Sequence, residues 1–146
     1  LRQATVREWF SLALRSPRPM EYRFDKHYTR DEARALLPQI RKWLEQLNRL
    51  RRELERFGKR LSGLAEQGND VGGDTVNSWI RALADTQEVL VEFQRRQIFV
   101  KDLDRGLVDF PAIIGGREVF LCWEKDEDDV EFWHDLDTGF GGRERL

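Results

Sequence analysis

The sequence predicts an α+β fold in which a long antiparallel helical hairpin, coiled-coil-like, packs with a small C-terminal antiparallel β unit. Three observations predict it. An apolar spacing of 3 and 4 runs unbroken from Leu36 to Leu64. A glycine-rich breaker at 68–74 separates it from a second such series. After Gly106 the helical period gives way to alternation. With 146 residues the chain has the length of one domain, read as an N-terminal arm at 1–21 and a domain at 22–146, with the hairpin at about 29–105 and the β unit at about 107–137.

The arm begins with Leu, and its first Met is Met20, which reads as an alternative start or an over-extended gene model. Val6, Trp9, Phe10, Ala13 and Leu14 share one helical face, the pattern of an amphipathic arm or of a loose tail. The apolar run at 9–14 is too short for a secretory core and lacks a small-residue cleavage pattern, so export is not expected.

The first helix starts at Thr29, where Thr29-Arg30-Asp31-Glu32 has the form of a capping box with acids in the first turn. Its seam is Leu36, Ile40, Trp43, Leu47, Leu50, Leu54, Phe57, Leu61 and Leu64. Pro38 predicts a kink or a short first segment, and the breaker ends the helix by about residue 67. A second helix of about 30 residues, about 45 Å long, follows Asp74 as N-cap. Its seam reads Val76, Trp79, Leu83, Thr86, Leu90, Phe93, Gln97 and Val100. Two helices alone leave such seams partly bare, so either the β unit covers them or two hairpins pair as a homo-oligomer, a dimer through the hairpin.

In the β unit, Arg117–Glu124 and residues 129–136 flank an acidic tip, Lys125-Asp126-Glu127-Asp128. A simple hairpin places Trp123 opposite Val130, Leu121 opposite Phe132 and Val119 opposite His134. That register puts Phe132 and His134 on the helix-facing side and Cys122 and Trp133 on the other. Residues 107–113 add a third strand, with Pro111 confining it to an edge or ending it.

Several of these segments carry a resemblance. Tyr28-Thr29, Glu32-Ala33, Leu36-Leu37-Pro38, the run from Lys101 through Asp109-Phe110-Pro111, Gly116-Arg117-Glu118-Val119, Leu121-Cys122-Trp123, Trp133-His134, Gly139-Phe140 and Gly142-Arg143 together resemble a bacterial family of uncharacterised proteins, domain-of-unknown-function family 2203, over roughly 22–146. The resemblance implies the architecture and directs attention to the C-terminal motifs without naming a reaction.

Function classes narrow from composition. Nine Phe, five Trp and two Tyr are too many for a solvated coil, and no apolar run approaches the ~18 residues of a membrane span. The single Cys122 forms no internal disulfide and fits a reducing, cytoplasmic setting. No cofactor motif is present, and a Cys122–His134 nucleophilic dyad is disfavoured because the expected register points the two apart. A divalent metal on His134 with Asp135, Asp137, Asp109 or Glu118 is the chemical alternative, against the plainer reading of a hydrogen-bonded core histidine.

Charge is asymmetric. Residues 1–60 hold 16 basic against 8 acidic side chains, and residues 61–146 hold 9 against 19. Arg41, Lys42, Arg49, Arg51, Arg52, Arg56, Lys59 and Arg60 invite a nucleic-acid reading, but they are spread around the helix. The acids Asp85, Glu88, Glu92, Asp102, Asp104 and those of 124–137 offer a simpler use for them within or between chains. The expectation is a non-catalytic self-assembling or partner-binding module.

Overall fold

The computed structural model describes residues 21–71 and 73–146, so the expected amphipathic arm lies outside the described residues, apart from Glu21. Two helices, α1 (Arg30–Glu66) and α2 (Asp74–Arg95), are followed by five strands. These are β1 (Phe99–Asp102), β2 (Leu107–Ile114), β3 (Arg117–Glu124), β4 (Phe132–Asp135) and β5 (Glu144–Arg145), with a short 3-10 turn at Phe140–Gly142. The strands form one antiparallel meander in chain order. The class is α+β, and among the described residues no helix is long and apolar enough to cross a membrane.

The start of α1 follows its sequence signal. Thr29 accepts from the Glu32 amide, and Glu32 reaches back to the Thr29 amide at 2.8 Å, a reciprocal capping box. The helix runs unbroken past Pro38, which is exposed, while its neighbours Leu37 and Ile40 are buried. No short first segment forms, because packing on both sides of the proline outweighs one lost hydrogen bond. Tyr28 fixes the entry: its amide donates to the Pro111 carbonyl at 2.7 Å and its hydroxyl to the Arg96 carbonyl at 2.6 Å.

The second helix is shorter than its periodicity predicts. It stops at Arg95, and Gln97 takes a left-handed φ of 51°. The Gln97 side-chain oxygen then accepts from the amides of Asp25 and Lys26, at 3.0 and 2.8 Å. The chain beyond, Phe99-Val100, is aromatic and β-branched and becomes β1. Asp74 sits in the first turn, and the N-cap is Gly73 at φ 82°. The face of α2 that meets α1 holds the buried Ala82, Val89 and Phe93, whereas the expected seam residues Leu83 and Leu90 are exposed. Two apolar stripes compete on this helix, and spacing alone does not choose between them.

The sheet departs from expectation in its register. Val119 pairs with Asp135, Phe120 with His134, Leu121 with Trp133 and Cys122 with Phe132, one residue away from the expected alignment. The cause is the connection, which is longer than a simple tip. Glu127 folds back on the end of β3, its amide donating to the Glu124 carbonyl at 2.9 Å and its carbonyl accepting the Trp123 indole N–H at 3.0 Å. Strand β4 therefore begins only at Phe132, and a one-residue slip moves each of its side chains to the other face. Phe132 and His134 thus share a face with Phe120 and Cys122, and Trp133 packs on the helix side.

Strand β2 is internal rather than an edge. Pro111 is accommodated because β1 has already ended: its outermost pair is Phe99 with Asp109. The helix-facing core joins Val108, Phe110, Val119, Leu121, Trp123 and Val130 to Ala33, Leu37, Ile40 and Leu44.

Three cations of α1, Arg30, Arg34 and Arg51, find carboxylates in the half of the chain that forms the sheet. Arg30 and Arg34 clasp Asp129, at 2.9 Å for Arg30 and 2.8 Å for the Arg34 Nε contact, while Arg51 meets Asp104 at 2.6 Å. Arg41 donates to the carbonyls of Lys125 and Glu127. Asp85 and Glu88 of α2 make no ion pair with α1 among the described residues. The hydrogen bonds from Arg34 hold the Asp129 carboxyl down at about 2, compared with 3.8 when free; burial opposes them, and the Val130 amide and the Arg34 and Arg30 charges reinforce them. Stability from this clasp is complete above 3.8 and is withdrawn as pH falls toward 2. Thermal midpoints measured from pH 5 to pH 2 should therefore drop more steeply for the wild type than for Asp129→Asn; parallel curves would refute the assignment.

Candidate metal centre

On the sheet face turned away from the helices, three adjacent strands bring together Asp109, Cys122 and His134. Asp109 and Cys122 are directly paired between β2 and β3, and His134 lies one step diagonal on β4. Their ligand atoms all lie within 4.8 Å of one another. The residues are 2%, 0% and 2% exposed, so the group is sealed from solvent. Phe120 tilts against the His134 ring at 5.6 Å, and Phe24 and Phe99 extend the aromatic cover over Phe120.

The hydrogen bonds define the donor atoms. His134 Nδ1 lies 2.7 Å from the Asp135 carbonyl, which only accepts, so Nδ1 carries the hydrogen. In the neutral ring Nε2 then presents a lone pair, and it faces Asp109 Oδ2 at 3.2 Å. Two acceptors placed head to head require a cation between them, either a proton on one or a metal ion on both. The other carboxylate oxygen, Asp109 Oδ1, is buried with no hydrogen-bond partner, and a buried polar atom left so costs about 1–3 kcal/mol. The separation of 3.2 Å also matches the edge of about 3.3 Å of a tetrahedron with bonds of about 2.0 Å.

Arg143 closes one side of the cluster. It pairs with Glu127, and its guanidinium lies over the Phe132 ring at 3.9 Å and the Phe140 ring at 4.5 Å. Its Nη1 is buried without a partner. Burial, then the neighbouring Asp109 carboxylate, pushes the Cys122 thiol up to about 12 against the pull of Arg143. A thiol so held is not a nucleophile at neutral pH. The sealed position likewise suits an ion better than a substrate.

Of the five residues that the sequence offers for a metal, the fold gathers Asp109 and His134 and disperses the rest. Glu118 serves the chain entry instead. It accepts from the amides of Arg23 and Phe24 at 2.7 and 2.9 Å and meets His27 Nε2 at 2.7 Å. Burial raises its carboxyl, but these hydrogen bonds, led by that of His27, leave it below its usual value. Asp135 turns to Arg117 at 3.4 Å, and only its backbone carbonyl serves His134. Asp137 is exposed in the following turn. Cys122 and Arg143 are the members that sequence reasoning missed. The expected register had separated Cys122 from His134, and alternation counted from the observed pairs reunites them.

Fold and site together define an α+β protein whose five-stranded antiparallel sheet carries a helical hairpin on one face and a buried Asp–Cys–His cluster on the other. Residues 26–146 match the model of the family described as uncharacterized conserved protein DUF2203, and the chain belongs to that family. Comparisons with curated proteins and with solved structures find no match.

Proposed function

We propose that the chain is a non-catalytic metal-binding module, holding one divalent ion of the zinc class on Asp109, Cys122 and His134 and thereby tying strands β2, β3 and β4 together. The observation that supports this is the convergence of three different donor types within 4.8 Å in a sealed site with Asp109 Oδ1 unpartnered. Oxygen, sulfur and imidazole nitrogen together suit zinc and its neighbours, whereas magnesium and calcium favour oxygen alone. Charge supports the fit as well. A carboxylate and a thiolate would neutralise a dication, the Cys122 proton being released as the metal binds, and Arg143 has its own counter-ion in Glu127. The Asp135 carbonyl on Nδ1 is the outer-shell partner that orients a ligating histidine.

The test is metal content by mass spectrometry after purification without a metal-charged resin. About one zinc per chain is expected, falling below about 0.1 in His134→Ala and Cys122→Ser. Wild-type protein that is folded by circular dichroism, yet empty and unable to take zinc from a chromophoric chelator, would overturn the proposal.

A further inference from the structure

The helices pack on one face of the sheet, so the Asp109–Cys122–His134 cluster on the other face is roofed by two flanking segments. On one side stands Arg143 with the rings of Phe132 and Phe140. On the other side runs the strap 23–27, which leads into α1. Its Phe24 ring bridges Phe99 and Phe120, with centroids 5.3 Å from each. Phe99 is the β1 partner of Asp109, and Phe120 lies against the His134 ring at 5.6 Å. Phe24 thus caps the two rings that stand beside two of the three donors.

The two sides are fastened differently. The Arg143 side is held by main chain: β5 pairs with β4, and the Leu146 amide donates to the Glu131 carbonyl at 2.9 Å. The strap has no such pairing among the described residues. Its four successive amides, Arg23 to Lys26, donate to only two side chains. Glu118 receives the first two at 2.7 and 2.9 Å, and Gln97 the other two at 3.0 and 2.8 Å. His27 adds a side-chain contact to the same Glu118 at 2.7 Å. Main-chain bonding begins just beyond, where the Tyr28 amide meets the Pro111 carbonyl. A segment held by side chains alone opens locally at less cost than a paired strand. We propose that the strap 23–27 is the gate of the cluster: it swings about Tyr28, lifts Phe24 off Phe99 and Phe120, and so admits and releases the metal ion. Glu118 and Gln97 are its latches. A sealed ion site needs such an entry path. The inference rests on the metal reading for what passes, and on the fastening of the strap for the gating itself.

Two rates read the gate. One is the loss of zinc to an excess of a chromophoric chelator; the other, in the metal-free protein, is the labelling of the buried Cys122 by N-ethylmaleimide, followed by mass. Gln97→Gly removes one latch and suits the left-handed φ of 51° at that position, and Phe24→Ala removes the cap. Each should raise both rates about tenfold, the scale of two lost hydrogen bonds or of one lost aromatic contact set, with circular dichroism unchanged. Urea below the unfolding transition should alter the rates little, because a local opening exposes little surface. Three results would each overturn the proposal: rates unchanged in both variants, rates that climb with urea as global unfolding does, or acceleration by Phe140→Ala alone, which would put the entrance on the Arg143 side. Wild-type protein that takes up no zinc would overturn the metal reading, and Cys122 labelling would then still decide whether the strap gates the cluster.

Discussion

Trp123→Ala is expected to cost the chain about 4–6 kcal/mol of stability. Trp123 is fully buried in β3 and stands where three parts of the molecule meet. Its ring lies in the core shared with α1, the Arg41 guanidinium sits 4.8 Å from its centroid, and its indole N–H holds the Glu127 carbonyl at 3.0 Å. Truncating a buried Trp to Ala costs about 3–5 kcal/mol. The lost indole hydrogen bond adds about 1 kcal/mol at most, since the Glu127 carbonyl keeps its bond from Arg41. Against a total stability of about 5–15 kcal/mol for a domain of ordinary size, such a loss removes most of the margin. Urea denaturation followed by circular dichroism reads it directly, and a loss under about 1 kcal/mol would show that the residue is not the keystone described. Trp123→Phe, which keeps a ring and removes the donor, should fall between the two.

The same connection explains what could and could not be read from the amino acids. The capping box at Thr29 and Glu32 and the breaker at 68–74 are local signals with a local physical cause, and each marks a boundary the molecule has, whereas the change of period after Gly106 falls on the β1–β2 turn, the strands having begun at Phe99. The end of α2 was hidden because Gln97 breaks the helix through contacts with Asp25 and Lys26, some 70 positions away in sequence. The register of β4 was hidden for another reason. Phe132 and Trp133 are both large and aromatic, so either could face the helices, and alternation scores the two alignments alike. The choice is made by Glu127 and Asp129, whose hydrogen bonds lengthen the turn. The candidate site depended on that one residue of slip. Asp109 and His134 were legible as chemistry, but the place of Cys122 beside them was legible only once the pairing was known.

Zinc in about thousand-fold excess over its Kd is expected to stabilise the wild type by about 4 kcal/mol, which for a chain of this size raises the thermal midpoint by about 10–15 °C. The informative variant is Asp109→Asn. In the metal-free protein a proton lies between the facing acceptors, and an amide placed at Asp109 can replace it by turning its N–H toward His134 Nε2. The variant should therefore remain folded yet show no midpoint response to zinc, having lost an anionic ligand. If the cluster holds only a proton, zinc moves neither protein. The zinc response of the wild type, set against that of Asp109→Asn, separates the two accounts.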